Sequence, residues 1–177
     1  SNAYLIMGEW NVINDMNTLI DTGSDSCIFE KIQSVNTGLG KNKVDQIVLT
    51  HTHSDHAALA EEAKRTYKAK VYAFGNNLKA IDKHLHDGQR ILIGDCLFEV
   101  FHITSHSYDS ICLLCESEQI LFSGDTTFPI VFENEKLEHE NFEAVFRLSK
   151  KKVKYLYPGH GEMRTFTDDY PFKVTNQ

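Results

Sequence analysis

The fold and the chemistry of this chain depend on one stretch, His51-Thr52-His53-Ser54-Asp55-His56. The apolar run Ile47-Val48-Leu49-Thr50 precedes it, and a helix-like segment, residues 57–64, follows it. A short apolar run rich in β-branched residues predicts a buried strand, so the six residues fall on a turn between a strand and a helix. Turns of this kind lie at one open edge of a sheet and present their side chains there.

The spacing within this stretch suits metal binding. His51 and His53 are two residues apart, so in an extended segment they point the same way and both imidazoles can reach one cation. Asp55 and His56 begin the helix, where they can face a second cation beside the first. The alternative is a polar loop without a ligand. Three histidines and an aspartate within six residues favour the metal site.

The composition is that of an ordinary globular protein. The 177 residues are 41% hydrophobic and 24% charged, which predicts one domain over residues 1–177 with a sizeable core. A formal net charge of -7 disfavours nucleic acid as a partner. No apolar stretch reaches the roughly 20 residues that cross a membrane, and none resembles a secretory signal. We therefore predict a cytoplasmic protein that acts on a small molecule and has no membrane partner, with its oligomeric state left open.

The cysteines do not form an obvious metal or redox site. Cys112 and Cys115 lie three apart in an apolar segment, residues 111–115, that predicts a strand. Positions three apart on a strand face opposite sides, so one metal could not easily take both. We expect both to act as small buried hydrophobic residues, and all four cysteines to be reduced.

Apolar periodicity predicts alternating strands and helices along the rest of the chain. Helices are expected near residues 25–35, 57–67, 76–84 and 139–152, and a hairpin at Gly94-Asp95 joins strands at 91–93 and 97–103. Further strands are expected near residues 18–21, 70–73, 111–115, 119–122 and 154–157. This alternation is typical of a layered α/β domain.

Five motifs, in chain order, resemble those of the metallo-β-lactamase superfamily. They are Asp21-Thr22-Gly23, His51-x-His53-x-Asp55-His56, the segment 104–110 that contains His106, Ser123-Gly124-Asp125-Thr126, and Pro158-Gly159-His160-Gly161. The segment 104–110 departs from the usual pattern, because Thr104, Ser105 and Asp109 stand where many relatives have proline and two glycines. Asp109 thereby adds a carboxylate close to the predicted site.

The resemblance implies an αββα sandwich, in which two mixed β-sheets pack face to face with helices on the outer faces. It also implies two divalent metal ions, with zinc expected and iron or manganese suited to the same ligands. The first metal would be held by His51, His53 and His106. The second would be held by Asp55, His56 and His160. Asp125 would bridge the two metals, and Asp21 would steady the ligands from beneath the site.

Ser1-Asn2-Ala3 allows two interpretations in this light. The tripeptide matches a common remnant of tag removal. An Asn before Tyr4-Leu5-Ile6 also resembles the early strand of the superfamily, and the two interpretations stay open.

The motifs are most similar to those of the glyoxalase II-like (hydroxyacylglutathione hydrolase-like) branch. We expect a hydrolase of an acyl ester or thioester that uses a hydroxide bound between two metals, with Asp55 as a catalytic residue. The segment that contacts glutathione in that branch is missing after Asp125, so glutathione specificity does not carry over. The lysines 150–152 are either a solvated helix end or a site for an anionic substrate tail.

Other activities of the superfamily are alternatives. Class B β-lactamases generally have cysteine where Asp125 stands, and acyl-homoserine lactonases often have tyrosine where Phe128 stands. A persulfide dioxygenase-like oxidoreductase, which uses one iron, is the main alternative to the hydrolase. A lactonase and a phosphodiesterase are less favoured alternatives. A non-catalytic metal-binding domain is also less favoured, because the ligand set is complete and leaves coordination positions open.

Overall fold

The computed structural model describes residues 1–12, 14–128 and 135–166, with only the backbone described for residues 135–141. One sheet contains five strands in the order β1-β2-β3-β4-β5. These strands are β1 (Tyr4–Ile6), β2 (Thr18–Ile20), β3 (Gln46–Val48), β4 (Lys70–Ala73) and β5 (Lys83–His84). The strands β2 to β5 run parallel, and β1 pairs antiparallel with β2.

The second sheet contains six strands in the order β11-β10-β9-β8-β7-β6. These strands are β6 (Arg90–Ile93), β7 (Cys96–His102), β8 (Ile111–Cys115), β9 (Ile120–Gly124), β10 (Tyr155–Pro158) and β11 (Arg164–Thr165). The four helices among the described residues are α1 (Cys27–Ser34), α2 (Ser54–Ala57), α3 (Ala60–Tyr67) and α4 (Glu135–Ser149). None of them is long and apolar enough to cross a bilayer.

Three hydrophobic clusters show how the layers pack. One lies between the two sheets and joins Ile20 and Val48 of the first sheet to Leu113 and Phe122 of the second. A second cluster packs α1 and α3 against the outer face of the first sheet. A third packs α4 against the outer face of the second sheet. The order of layers is therefore helix, sheet, sheet, helix, which confirms the predicted αββα sandwich.

The two cysteines of β8 confirm the prediction that they face opposite sides. Cys115 belongs to the cluster between the sheets, and Cys112 belongs to the cluster beneath α4. Both side chains are fully buried. Burial raises the pKa of the Cys112 thiol to about 12, so this side chain is an uncharged hydrophobic group.

The helix predicted for residues 76–84 is wrong. The segment is irregular until β5, which pairs parallel with β4 through the register Tyr72↔Lys83 and Ala73↔His84. Asp82 fixes this pairing, since its carboxylate accepts hydrogen bonds from the Val71 amide at 2.9 Å and from the Lys64 ammonium at 2.6 Å. The apolar spacing that includes Ala80 and Ile81 is typical of a helix, but the pairing of this segment with the distant strand β4 determines its structure.

Two other helices have different boundaries from those predicted. The helix expected at 57–67 is divided into α2 and α3, and its first residue is Ser54. The helix expected at 139–152 is α4, which begins at Glu135 and ends at Ser149. Residues 129–134 and 167–177, which the predicted domain over residues 1–177 includes, lie outside the described residues.

The strand directions bring the five motifs to one edge of the sandwich. β2 and β3 run parallel, so Asp21 and the stretch 51–56 follow strand ends at the same edge. β9 and β10 also run parallel, which places Asp125 and the turn with His160 side by side. Both β7 and β9 are antiparallel to β8, so β7 and β9 run in the same direction. The loop with His106, which follows β7, therefore starts at the same edge as Asp125.

An ion pair fastens α4 to the turn before β6. The Arg147 guanidinium donates to both carboxylate oxygens of Asp87, at 2.7 and 3.0 Å, and lies over the ring of Phe101. The His102 amide also donates to Asp87. Partial burial by itself raises the pKa of Asp87, but the bonds from Arg147 and from the amide outweigh it and hold that pKa below its ordinary value.

We predict that Arg147→Gln lowers the free energy of unfolding at pH 7 by up to about 1 kcal/mol, because both partners are about one third exposed. A depressed carboxyl pKa stabilises the fold above its unfolded value, near 3.9, and the contribution disappears as the pH falls through the folded value. Urea unfolding of the variant and the wild type should therefore differ at pH 7, and the difference should shrink as the pH is lowered below the ordinary carboxyl value near 3.9. Lys151→Gln, which removes a more exposed pair with Glu116, is the control and should change little. A difference that persists unchanged at low pH would contradict this account.

Candidate metal centre

The first three predicted ligands lie together at the open edge. One ligand atom from each of His51, His53 and His106 lies within 4.8 Å of the others. The Nε2 of His106 and the Nδ1 of His53 are 3.0 Å apart. His51 is buried, whereas His53 and His106 are exposed, so this group has a closed side and an open side.

The other four predicted ligands form a second group. Ligand atoms of Asp55, His56, Asp125 and His160 lie within 4.8 Å of one another. The Nε2 of His160 is 2.9 Å from Oδ2 of Asp55, and the Nε2 of His56 is 3.4 Å from the same oxygen. Three nitrogen or oxygen donors beside a carboxylate make a typical donor set for zinc or a similar divalent cation.

Asp125 lies between the two groups. Its Oδ2 is 3.4 Å from Nε2 of His106 and 3.6 Å from Nε2 of His160. Its Oδ1 is 3.1 Å from Nε2 of His56. One carboxylate therefore approaches histidines of both groups, as a bridging ligand must.

Unpartnered atoms in this region fit metal ions. The Nε2 atoms of His51 and His56 and the Oδ1 of Asp125 are buried and have no hydrogen-bond partner among the described residues. The 3.1 Å contact between His56 and Asp125 is short enough for a hydrogen bond, but its atoms are not aligned as one. Buried polar atoms are rarely left unpaired, and a cation between these atoms would satisfy all three.

The turn from β3 into α2 explains how six residues supply four of these ligands. His53 is extended, with ψ of 147°, and α2 begins at the next residue. Its carbonyl accepts hydrogen bonds from the amides of His56 and Ala57, which closes the first helical turn. The extended part carries His51 and His53 to the first group, and the helical part carries Asp55 and His56 to the second.

Gly159 provides the space on the other side of the site. A Cβ at this position would collide with Asp125, and would come within 2.7 Å of the His56 ring. The backbone of the turn between β10 and His160 therefore passes directly against the ligands, and no larger residue fits there.

Asp21 holds the buried side of the site. Its Oδ2 accepts from Nδ1 of His56 at 2.8 Å and from the Thr50 hydroxyl at 2.8 Å, while its Oδ1 accepts from the Thr50 amide at 2.7 Å. These bonds leave Nε2 of His56 directed toward the second group. Asp21 itself has a left-handed backbone, with φ of 55°, which short polar residues adopt more readily than others.

The two buried histidines have opposite electrostatic surroundings. Burial, together with the neighbouring His56, lowers the pKa of His51 to about 4, so this imidazole is neutral and keeps a lone pair for a cation. Burial also acts to lower the pKa of His56, but the carboxylate of Asp21 outweighs it and raises that pKa. A carboxylate on the outer nitrogen of a ligand histidine is a common support at metal sites.

Asp109 has a role that sequence reasoning missed. Its Oδ2 accepts from the Thr52 amide at 2.9 Å and from the Thr52 hydroxyl at 2.6 Å, and its Oδ1 accepts from the Ser107 hydroxyl at 2.8 Å. Thr52 lies between His51 and His53, and Ser107 follows His106. One buried carboxylate thus fastens together the two loops that carry the first group. The signal in the sequence was the departure from glycine at this position.

The N-terminal residues contact the turn that carries His160. The Asn2 side chain donates to the carbonyls of Pro158 and Gly161 at 3.0 and 2.8 Å, and the Tyr4 hydroxyl donates to Pro158 at 2.6 Å. These bonds hold the final turn against β1, so Asn2 has a structural role in this chain.

Several other candidates lie outside the two groups. His102 stacks on Phe74 with ring centroids 3.6 Å apart, and its Nε2 is 2.6 Å from the Tyr108 carbonyl. His84 and His86 are exposed and belong to neither group. These three histidines belong to neither donor group.

Comparison with known proteins identifies the family. The profile described as "Metallo-beta-lactamase superfamily" matches residues 1–160, so the chain belongs to this superfamily. A hydroxyacylglutathione hydrolase from Francisella tularensis is 42% identical over 94 residues, which are 51% of this chain and 37% of that relative. An atrochrysone carboxyl ACP thioesterase from Cryptosporiopsis sp. is 25% identical over 162 residues, which are 90% of this chain and 49% of that relative. The matches thus cover less than half of these relatives.

A solved structure shares the fold. The structure of TTHA1623 in a di-iron-bound form has a TM-score of 0.67 and 23% sequence identity, and the match covers 93% of this chain and 89% of that one. At this level of identity the similarity concerns the sandwich architecture.

We predict that Asp109→Ala lowers metal affinity by about 10- to 100-fold, because it frees Thr52 and Ser107 and loosens both loops of the first group. Asp109→Asn should have a smaller effect, since its amide oxygen can still accept from Thr52. Affinity is measured by zinc titration against a competing chelator. Asp82→Ala is the control, because it removes a carboxylate of similar bonding far from the ligands. Equal losses of affinity in Asp109→Ala and Asp82→Ala would indicate a general loss of stability instead.

Proposed function

We propose that this chain is a metal-dependent hydrolase of acyl esters or thioesters that works with two divalent cations, zinc being the expected metal. The observation that carries the proposal is the meeting of two complete donor groups at Asp125, with three buried donor atoms left unpartnered. The family supports it, and so do the two relatives, one of which is named a hydrolase and the other a thioesterase.

The residues divide the work in the proposed reaction. His51, His53 and His106 would hold one cation, Asp55, His56 and His160 would hold the other, and Asp125 would contact both. When bound, two such cations supply an acidic water at neutral pH and draw electron density from a substrate carbonyl. The Asp125 carboxylate offsets the repulsion between the two positive charges. Imidazole and carboxylate donors leave coordination positions open for the reactants.

Asp55 is placed to guide the attacking water. Burial acts weakly to raise its pKa, but His56 and His160 outweigh it and hold the pKa of Asp55 below its ordinary value. Its carboxylate is therefore ionised at neutral pH and can accept a hydrogen bond from water. The water oxygen adds to the carbonyl carbon, the bond to the alcohol or thiol breaks, and the departing group takes up a proton.

The serines near the site lack the arrangement of a nucleophile. The Ser107 hydroxyl donates to Asp109, and its oxygen is 2.7 Å from the Ser110 hydroxyl. Both hydroxyls are thus occupied in holding the loop, and no histidine is bonded to them among the described residues. This arrangement supports direct attack by water over an acyl-enzyme route.

The main alternative is a mono-iron oxidoreductase of the same superfamily. That activity depends mainly on the first group and Asp125, and would leave Asp55, His56 and His160 without a shared task. The close packing of these three side chains favours the two-metal hydrolase. Iron remains a possible metal for the same ligands, and metal analysis combined with oxygen consumption separates the two activities.

We predict that the purified protein, reconstituted with zinc, holds close to two metal ions per chain. Asp125→Asn should reduce the content at both positions, because Asp125 is the carboxylate that contacts both groups. The measurement is elemental analysis after removal of free zinc. Asp95→Asn, at an exposed hairpin turn, is the control and should keep the wild-type content. One metal lost with the other fully retained would count against the bridge.

We predict that Ser105→Ala, Ser107→Ala and Ser110→Ala each keep turnover within about tenfold of the wild type. Asp55→Asn should lower turnover by about 100-fold or more, because it removes the negative charge of a metal ligand and the carboxylate that accepts a hydrogen bond from the attacking water. A panel of thioesters, esters, lactones and phosphodiesters, assayed with each metal, provides the measurement. A covalent acyl-serine trapped by mass spectrometry would overturn direct attack by water.

A further inference from the structure

We propose that the cavity beside the metal centre binds a carboxylate of the substrate through Arg164. The inference rests on the proposed function, because it assigns a substrate class to the same site. It adds that the preferred acyl esters or thioesters carry a negative charge a few bonds away from the carbonyl that is attacked.

One cavity is lined partly by predicted metal ligands and partly by residues that are not ligands. Its volume is about 340 Å³, within the range of small-molecule sites, roughly 300–1,000 Å³. His106, Asp125 and His160 line one part of it. Phe128 and Leu156 line another part and give it an apolar wall. A substrate whose carbonyl lies at the metal centre can therefore extend its chain along this wall.

Arg164 supplies the positive charge of this cavity outside the ligands. It lies on the edge strand β11, opposite Leu156 of β10, and it also lines the cavity. The apolar wall and the guanidinium thus belong to paired positions of two neighbouring strands. An arginine that lines the same cavity as the predicted ligands can bind a planar carboxylate through two parallel hydrogen bonds.

Arg164 also has no acidic partner among the described residues, unlike the three basic residues that form ion pairs. Arg147 is paired with Asp87, Lys64 with Asp82 and Lys151 with Glu116. Arg164 forms no ion pair with any residue in the described part of the chain. A guanidinium without an ion-pair partner beside an apolar wall is suited to a carboxylate ligand, although the formal net charge of -7 opposes anions at long range.

The lysines near the end of α4 fit this role less well. Lys151 is bound to Glu116, and the Lys150 ammonium lies 3.7 Å from the centre of the Phe146 ring. None of the lysines 150–152 lines the cavity. The sequence suggested these lysines as one site for an anionic substrate tail. We assign that role to Arg164 instead.

The experiment compares thioesters that differ only in one carboxylate. The first pair has pentanoyl and glutaryl groups on 1-propanethiol, so the charge is on the acyl part. The second pair has an acetyl group on 1-propanethiol and on 3-mercaptopropionate, so the charge is on the leaving thiol. Each is assayed with the zinc-reconstituted wild type, Arg164→Gln, Arg164→Lys and Arg90→Gln. Arg90 is a matched control, because it is an exposed arginine on β6, the opposite edge strand of the same sheet.

We expect kcat/KM of the wild type to be at least about tenfold higher for the charged member of one pair. That pair identifies the part of the substrate that reaches Arg164. Arg164→Gln should abolish the preference and keep kcat/KM for the neutral thioester within about twofold of the wild type. Arg164→Lys should retain part of the preference, and Arg90→Gln should show the same preference as the wild type. A preference that does not depend on Arg164, or no preference in either pair, would overturn the proposal.

A binding measurement separates this inference from the proposed function. Two thioethers with a methylene in place of the carbonyl, one ending in carboxylate and one in methyl, are titrated into the same proteins. Tighter binding of the charged thioether to the wild type, lost in Arg164→Gln, supports the carboxylate site even if no thioester is hydrolysed, in which case only the hydrolase proposal fails. Equal binding of the charged thioether to the wild type and Arg164→Gln would sink the carboxylate site even with hydrolysis intact.

Discussion

The structure depends on one electrostatic constraint, the burial of metal-ligating atoms that have no hydrogen-bond partner in the part of the chain that the structure describes. His51 and His56 direct ring nitrogens, and Asp125 directs a carboxylate oxygen, into a common space without hydrogen bonds between them. Such an arrangement is unfavourable unless a cation fills the space. The fold is organised to produce it, because parallel strands deliver the ends of β2, β3, β9 and β10 to one edge.

Two further carboxylates hold the segments that carry the predicted ligands. Asp21 bonds to His56 from the buried side, and Asp109 bonds to Thr52 and Ser107 from the first group's side. Both carboxylates accept several hydrogen bonds, so neither is free to become a ligand itself. The protein thus uses two acidic residues to position ligands and two others, Asp55 and Asp125, to approach the metals. Sequence position alone does not separate these uses, since all four follow strand-like segments.

The sequence was sufficient for the parts of the fold that depend on local pattern. The alternation of strands and helices, the hairpin between β6 and β7 and the strand pair β8 and β9 follow from apolar runs and turn residues, whereas the αββα layering was expected from the resemblance to the superfamily. The seven predicted ligands come together because each motif directly follows a strand. The helix predicted at 76–84 failed because β5 is only two residues long and its pairing with β4 depends on Asp82, which lies eleven residues from its partner Val71. The tie made by Asp109 was missed for the same reason, since its partner Thr52 is 57 residues away.

The two sides of the centre differ in a way that bears on its chemistry. His51 and His56 are closed off by the sandwich, whereas His53, His106 and His160 are exposed. A cation held between these residues would have rigid ligands on the protein side and an open approach on the other. The cavity with Phe128, Leu156 and Arg164 opens on this exposed side, so the substrate and the buried supports do not compete for the same space. Under the proposals above, a change at Arg164 would alter which substrate is held without disturbing the hydrogen bonds of Asp21 and Asp109.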